Sequence, residues 1–482
     1  MPGKTLRGVY RGGNWNNGVN NGVFSINANN DRTNSNTNIG GRSALAYQML
    51  SPEPTGEGSE RVKGAYLPTG GHRPPVKDTA GALMPSVRAD DAERRRGRPR
   101  RLSERSATRG YFFALRRTPN MAKITNLYER ICSWENLLAA YYSAAARKWD
   151  RREVAAFSAN LEENLIEIQN ELLWRTYTVG RYREFYVYEP KKRLIMALSF
   201  KDRVVQWAIY RQLNPLIDRQ FYEHSYGCRV GKGRVKAADQ LQKWINMVDR
   251  RPGPWYFLKL DVSKYFYRVS HEVLMRILRE KIDDEGLLWL MDTIINCEHT
   301  AFGLPAGFSP DEVEPGERLF DRGMPIGNLT SQMLANICLD QLDQFVKHEL
   351  REHFDIRYMD DDIILSDDRD RLVADLDAIR NFLGEELLLD LNDKTQINTI
   401  RHGVEFVGYR IRPGHRKLKR KSLRKMKARI AHIEKEYAAG EIDVENVNAT
   451  MQSYFGDMKH FDSDGIRTKL NADTVFQRGR KT

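Results

Sequence analysis

Three aspartates stand out as the residues able to do chemistry. Asp261 follows the buried-looking run Trp255–Leu260, and Asp360 and Asp361 sit in Tyr358-Met359-Asp360-Asp361 with apolar residues on both sides. Burying so many carboxylates together is costly unless cations compensate them. A divalent metal is the economical cation, and magnesium, a hard ion, takes oxygen ligands and leaves room for phosphates. Two such ions activate an attacking hydroxyl and stabilise a departing pyrophosphate, which is nucleotidyl transfer. An Asp triplet alone is usually a solvated turn. The apolar flanks and the upstream Asp at a strand end argue against that here.

The elements that must position these acids follow from hydrophobic period. Residues 255–260 (WYFLKL) predict a strand ending in Asp261, and residues 356–365 (IRYMDDDIIL) alternate around three consecutive acids. Residues 404–411 predict a further strand. Apolar residues at helical spacing predict helices over 124–149, 153–173, 270–281, 286–296 and 329–350. Residues 202–217 read as a helix ended by Asn214-Pro215, residues 184–198 as two strands around a basic turn, and residues 416–429 as a basic helix.

The chain has 482 residues, 41% of them hydrophobic, which excludes a wholly disordered protein. Its 77 Lys and Arg against 64 Asp and Glu give a net charge of +13, pointing to a polyanionic partner, nucleic acid first. Most of that excess is local: residues 1–120 hold 20 basic and 9 acidic residues, leaving 57 and 55 for the rest. Four scattered cysteines make disulfides and structural zinc unexpected and favour a reducing cytoplasm. No apolar run approaches the roughly 20 residues that span a bilayer, so a soluble cytoplasmic protein with no membrane partner is expected.

Taken in order, the motifs resemble reverse transcriptases over about residues 121–465. Asp261-Val262-Ser263-Lys264-Tyr265-Phe266 and Tyr358-Met359-Asp360-Asp361 are similar to the two catalytic palm motifs of that family. The resemblance implies an α+β right-hand polymerase with a disordered N-terminal extension. Its expected regions are 1–120 (extension), 121–250 (N-terminal helices and fingers), 251–400 (palm) and 401–482 (primer grip and short helical thumb). It implies two Mg2+ ions, with Mn2+ as a substitute, held by Asp261, Asp360, Asp361 and the carbonyl of Val262. Lys192, Arg193 and Arg203 would hold the incoming triphosphate, since a planar, permanently charged guanidinium suits phosphate. Phe266 is either the aromatic that excludes a ribose 2′-hydroxyl or a core residue. Lys394, in Asn392-Asp393-Lys394-Thr395, is either the donor of a proton to pyrophosphate or an exposed turn lysine. Arg229 and Lys232, in a Gly-rich basic loop, would face the template. Gly408 and Tyr409 resemble the primer-grip turn, and Lys419, Arg420 and Lys421 lie in a stretch, 410–429, with 11 basic residues and no acid.

The segment Ile326-Gly327-Asn328-Leu329-Thr330-Ser331-Gln332 narrows the resemblance. Group II intron and retroviral enzymes generally carry Gln-Gly and Ser-Pro there. Ile326-Gly327 and Ser331-Gln332 instead resemble reverse transcriptases of diversity-generating retroelements, placing Ile326, Gly327 and Gln332 near the nascent base pair. That family copies a template repeat RNA into cDNA with errors at adenines, and the cDNA replaces a variable repeat in a target gene. The implied partners are template repeat RNA, a DNA or RNA primer, dNTPs and a small basic accessory oligomer.

Residues 11–44, Asn-rich and containing Gly12-Gly13-Asn14-Trp15, are similar to the end of C-type-lectin-like variable proteins. Asn codons begin with two adenines, so residues 1–120 read as a translated template repeat and spacer, with Met121 the true start. The competing reading is a low-complexity RNA-binding tail carrying the run RRRGRPRR at 94–101. For the whole chain the alternatives are a group II intron or retron polymerase and, from another class, a non-catalytic nucleic-acid-binding scaffold.

Overall fold

The structure, a computed structural model, describes residues 122–188, 193–305, 307–310, 312–474 and 476–478. The expectations for residues 1–120, Met121, Lys191 and Lys192 lie outside the described residues.

An N-terminal group of helices comes first: α1 (Tyr128–Cys132), α2 (Trp134–Ala145), α3 (Arg152–Ala159) and α4 (Leu161–Leu173). The single helical stripe expected over 124–149 is cut at Ser133, whose extended backbone and hydroxyl, accepting from the Asn136 N–H, start a new helix. Next come β1 (Arg183–Val187) and β2 (Arg193–Ala197), an antiparallel pair, then α5 (Phe200–Asp218) and α6 (Arg234–Val248). Helix α5 does not stop at Asn214-Pro215 as expected. Pro215 lies in its last turn, where it withholds one donor from the preceding turn without ending the helix, which runs on to Asp218.

The centre of the molecule is β3 (Tyr256–Asp261), α7 (Tyr265–Arg268), α8 (His271–Lys281), α9 (Glu285–Ile295), α10 (Leu329–Phe345), β4 (Asp355–Tyr358), β5 (Asp361–Ser366), α11 (Arg369–Phe382) and β6 (Gln396–Thr399). Four strands form one antiparallel sheet in the order β4-β5-β3-β6. Helices α10 and α8 pack together, and α11 packs on the sheet. Leu258, Leu260, Ile356, Ile363, Ile364 and Leu365 are buried in the core.

The C-terminal part is a three-stranded sheet, β7 (Val404–Phe406), β8 (Tyr409–Arg412) and β9 (His415–Leu418), followed by α12 (Arg420–Ala438), α13 (Val444–Met458) and α14 (Asp464–Asp473). Residues 404–411 are thus a hairpin rather than one strand. Val407 and Gly408 both have positive φ, 41° and 88°, the backbone of a tight hairpin turn that Gly408 adopts without strain. The basic stretch begins as β9 and becomes helical only from Arg420.

Candidate active site

Antiparallel register brings the acids together. Asp261, the last residue of β3, pairs with Asp361, the first of β5, and Asp360 lies in the β4–β5 turn. Side chains alternate across a sheet, so Asp261, Lys259 and Asp361 share one face, while Asp362, Arg357 and Asp355 share the other. The third acid of the triplet therefore points away from the first two.

That opposite face holds the turn in shape. Met359 adopts φ 55°, unusual for a residue with a side chain. Its carbonyl accepts from Arg357 Nη1 at 2.9 Å. Arg357, 1% exposed, also forms a two-pronged pair with Asp343, at 2.6 Å from both Nε and Nη2, and donates to Ser225 Oγ at 3.0 Å. Asn336 donates to the carbonyl of Gly227 at 2.9 Å, and a Cβ on Gly227 would lie 2.7 Å from Met359, so only glycine lets that loop close on the turn. Arg357, Asp343, Asn336 and Ser225 carry no motif in the sequence. Their only signal there is Arg357's position two residues before Met359, on the face it shares with Asp355.

Electrostatics separate the two faces. Burial, with repulsion from Asp261 and Asp361, pushes the Asp360 carboxyl up to about 6, and the nearby Arg193 guanidinium pulls the other way. Asp361 is also raised by burial, opposed by Lys259 and Lys419. Beneath the turn, Asp355 and Asp362 lie side by side, fully or nearly fully buried. Burial raises both, Asp362 to about 7 and Asp355 well above its ordinary range, which favours their protonated forms. Among the described residues no three His, Cys, Asp or Glu side chains already converge as a closed metal-binding set. The donors on the outer face are nonetheless hard carboxylates, partly open to solvent and mutually repulsive, and they fit a divalent metal. The divalent ion would bring them together and supply the positive charge that phosphate chemistry needs.

The remaining expected residues divide clearly. Arg193 begins β2 and lies near Asp360. Ile326 is 5% exposed, and its carbonyl accepts from Met196 N in β2 at 3.2 Å. Gly327 has φ 123°, and a Cβ there would sit 3.3 Å from the Met196 carbonyl. Gln332 is half-buried in α10. The Val262 N–H donates to the Asp360 carbonyl at 3.3 Å, linking the two motifs. Lys394 is exposed on a turn docked to the site, where the Asn392 N–H donates to the Asp261 carbonyl at 2.7 Å. Phe266 is 8% exposed and packs edge-on against Tyr265. Lys232 donates to the Glu223 carbonyl and lies over the Tyr226 ring.

Three expectations need correcting. Arg229 does not face a template: its donors are spent on Asp218 and on the carbonyls of Tyr222 and Ser225, stapling a loop. Tyr409 does not reach a primer: it is fully buried, and Arg234 and Arg416 lie over its ring. Arg203 is held by Glu153 in α3 at 2.5 Å and by the Ser199 carbonyl, which leaves it tied to the N-terminal helices rather than gathered with Arg193 and the acids.

A cationic edge completes the site. Lys419, Arg420 and Lys421 open α12, whose first turn has no acid. Arg420 and Lys421 are exposed. Cations at a helix N-terminus oppose the helix dipole, an arrangement that favours bound phosphate.

An acidic pair set by β3 and β5, next to a basic helix start, fits metal-assisted transfer of a phosphate-bearing group. Residues 189–411 match the family model described as "Reverse transcriptase (RNA-dependent DNA polymerase)". It is 26% identical over 289 residues to Protein YkfC of Escherichia coli, covering 52% of this chain and 72% of that protein. It is 23% identical to the putative COX1/OXI3 intron 2 protein of Saccharomyces cerevisiae, covering 49% of this chain and 31% of that one. It is 25% identical to the group II intron-encoded protein LtrA of Lactococcus lactis, covering 40% of this chain and 30% of that one. The chain thus spans less than a third of either intron protein.

Proposed function

We propose that the protein copies a template repeat RNA into cDNA with errors concentrated at adenines, and that this cDNA replaces a variable repeat in a target gene. The observation that carries the mutagenic part is Ile326-Gly327 followed by Ser331-Gln332. An apolar side chain at residue 326 leaves no polar group there to hydrogen-bond at the nascent base pair, which loosens selection of the incoming base. Burial of Ile326 against the β2 backbone supports this reading, because that position is fixed by packing.

In this reading Asp261, Asp360, Asp361 and the Val262 carbonyl hold magnesium, or manganese in its place. Lys192 and Arg193 orient the triphosphate, Phe266 lies under the sugar, and Lys394 donates a proton to the departing pyrophosphate. Gly408 shapes the primer-grip turn, and Lys419, Arg420 and Lys421 track the template–primer phosphates. The partners are the repeat RNA, a DNA or RNA primer, dNTPs and a basic accessory oligomer. Cys132, Cys228, Cys297 and Cys338 are unpaired, which supports a cytoplasmic location, and no helix among the described residues is long and apolar enough to cross a membrane.

The test is to let the full chain copy an RNA of balanced composition and to sequence the cDNA. Errors clustered opposite template adenines are expected. Errors spread evenly over the four template bases would sink the mutagenic reading and leave an ordinary RNA-directed polymerase.

A further inference from the structure

One contact in the site has no counterpart among the expected residues. Lys259 lies two residues before Asp261 on the same face of β3, and its partner across the ladder, Ile363, is two residues beyond Asp361. Diagonal neighbours across a strand pair are within reach of a long side chain. Lys259 Nζ accordingly sits 2.5 Å from Asp361 Oδ1, with its side chain only 12% exposed. The same ammonium donates to the Glu405 carbonyl in β7 at 2.7 Å. The Glu405 carboxylate is in turn 3.3 Å from Lys419 Nζ, at the start of α12. A continuous polar chain therefore runs Asp361, Lys259, Glu405, Lys419, from the acidic face to the cationic edge.

We propose that Lys259 is a positioning residue that holds Asp361 in reserve until a divalent metal replaces it, and that couples Asp361 to the β7–β8 hairpin. The inference rests on the polymerase reading above. An ammonium in contact with a carboxylate oxygen and a divalent ion on the same carboxylate compete, because the two cations repel at short range in a partly desolvated site. Lys259 therefore sets how much metal the site requires. Release of Asp361 leaves Lys259 its Glu405 contact, so metal loading is sensed at the hairpin next to Lys419, Arg420 and Lys421.

The test uses the full chain and Mn2+ as the probe, followed by electron paramagnetic resonance, with binding of an RNA–DNA duplex read separately by fluorescence anisotropy. Lys259→Met removes the competing charge, so Mn2+ binds about threefold tighter or more, while duplex binding weakens because the hairpin loses its tie to β3. General damage to the site would weaken both, so the opposite signs distinguish positioning from misfolding. Lys259→Arg keeps the charge and the donors and restores wild-type Mn2+ affinity. Unchanged or weaker Mn2+ binding in Lys259→Met, or an Arg variant that behaves like Met, overturns the proposal. Both readouts are independent of DNA synthesis: a chain that shows them and extends no primer would refute the polymerase reading and leave this one standing.

Discussion

The two faces of the β3–β5 ladder carry similar residues and meet opposite fates. On the inner face, Arg357 pairs Asp343, burial pushes Asp355 and Asp362 toward their neutral forms, and every group is sealed from water. On the outer face, Asp261, Asp360 and Asp361 face Lys259, Lys419 and Arg193, and part of their charge is left for a visitor. The lesson is that an acidic triplet in a strand is two sites. Period two divides it, and the acids left incompletely paired are the ones that do chemistry.

The largest effect expected from this division is on synthesis. Asp261→Asn and Asp361→Asn each lower nucleotide incorporation by about three orders of magnitude, measured as single-turnover primer extension, whereas Asp362→Asn stays within about tenfold of wild type. Equal losses at all three would erase the distinction between faces.

Next in size is the inner-face ion pair. Arg357→Met strands the buried Asp343 carboxylate and costs about 3–5 kcal/mol of stability, read by chemical denaturation. A loss below about 1 kcal/mol would mean the pair contributes no more than a surface bridge.

The raised Asp362 carboxyl makes stability pH-dependent with a defined sign. Asp362 has a folded value of about 7, above the ordinary carboxylate range of an unfolded chain. The folded state therefore binds more protons in between, and its extra stability is present below about 4 and lost as pH rises toward 7. Denaturation from pH 4 to pH 8 should show this loss in wild type and a flatter profile in Asp362→Asn. Stability that rises with pH over that window would contradict the buried pair.

The smallest effect belongs to the cationic edge. Arg420→Gln and Lys421→Gln each weaken RNA–DNA duplex binding modestly and lower the salt slope by about one. Arg229→Gln should leave that slope unchanged, because its guanidinium is consumed inside the fold.

What was legible in the sequence follows the same logic. The strand ending at Asp261, the hairpin around Asp360 and Asp361 and most helices were readable, because each is announced by local period or by a motif. Arg229 and Tyr409 were misplaced because a basic or aromatic residue in a turn looks the same whether it faces solvent or folds inward. Partners such as Asp218 and Arg234 decide that, and they come from other elements. Arg357 with Asp343 was invisible because the pair joins a strand to α10. Lys259 was within reach, since period two places it on the face of Asp261, but its partner is set by the β3–β5 register.

The most direct test of the central claim is primer extension by the full chain on an RNA template, compared with Asp360→Asn while duplex binding is followed in parallel. The account predicts DNA synthesis by wild type, none by Asp360→Asn, and equal binding by both. A wild type that binds the duplex but never extends it, under any priming condition and with either Mg2+ or Mn2+, would contradict it.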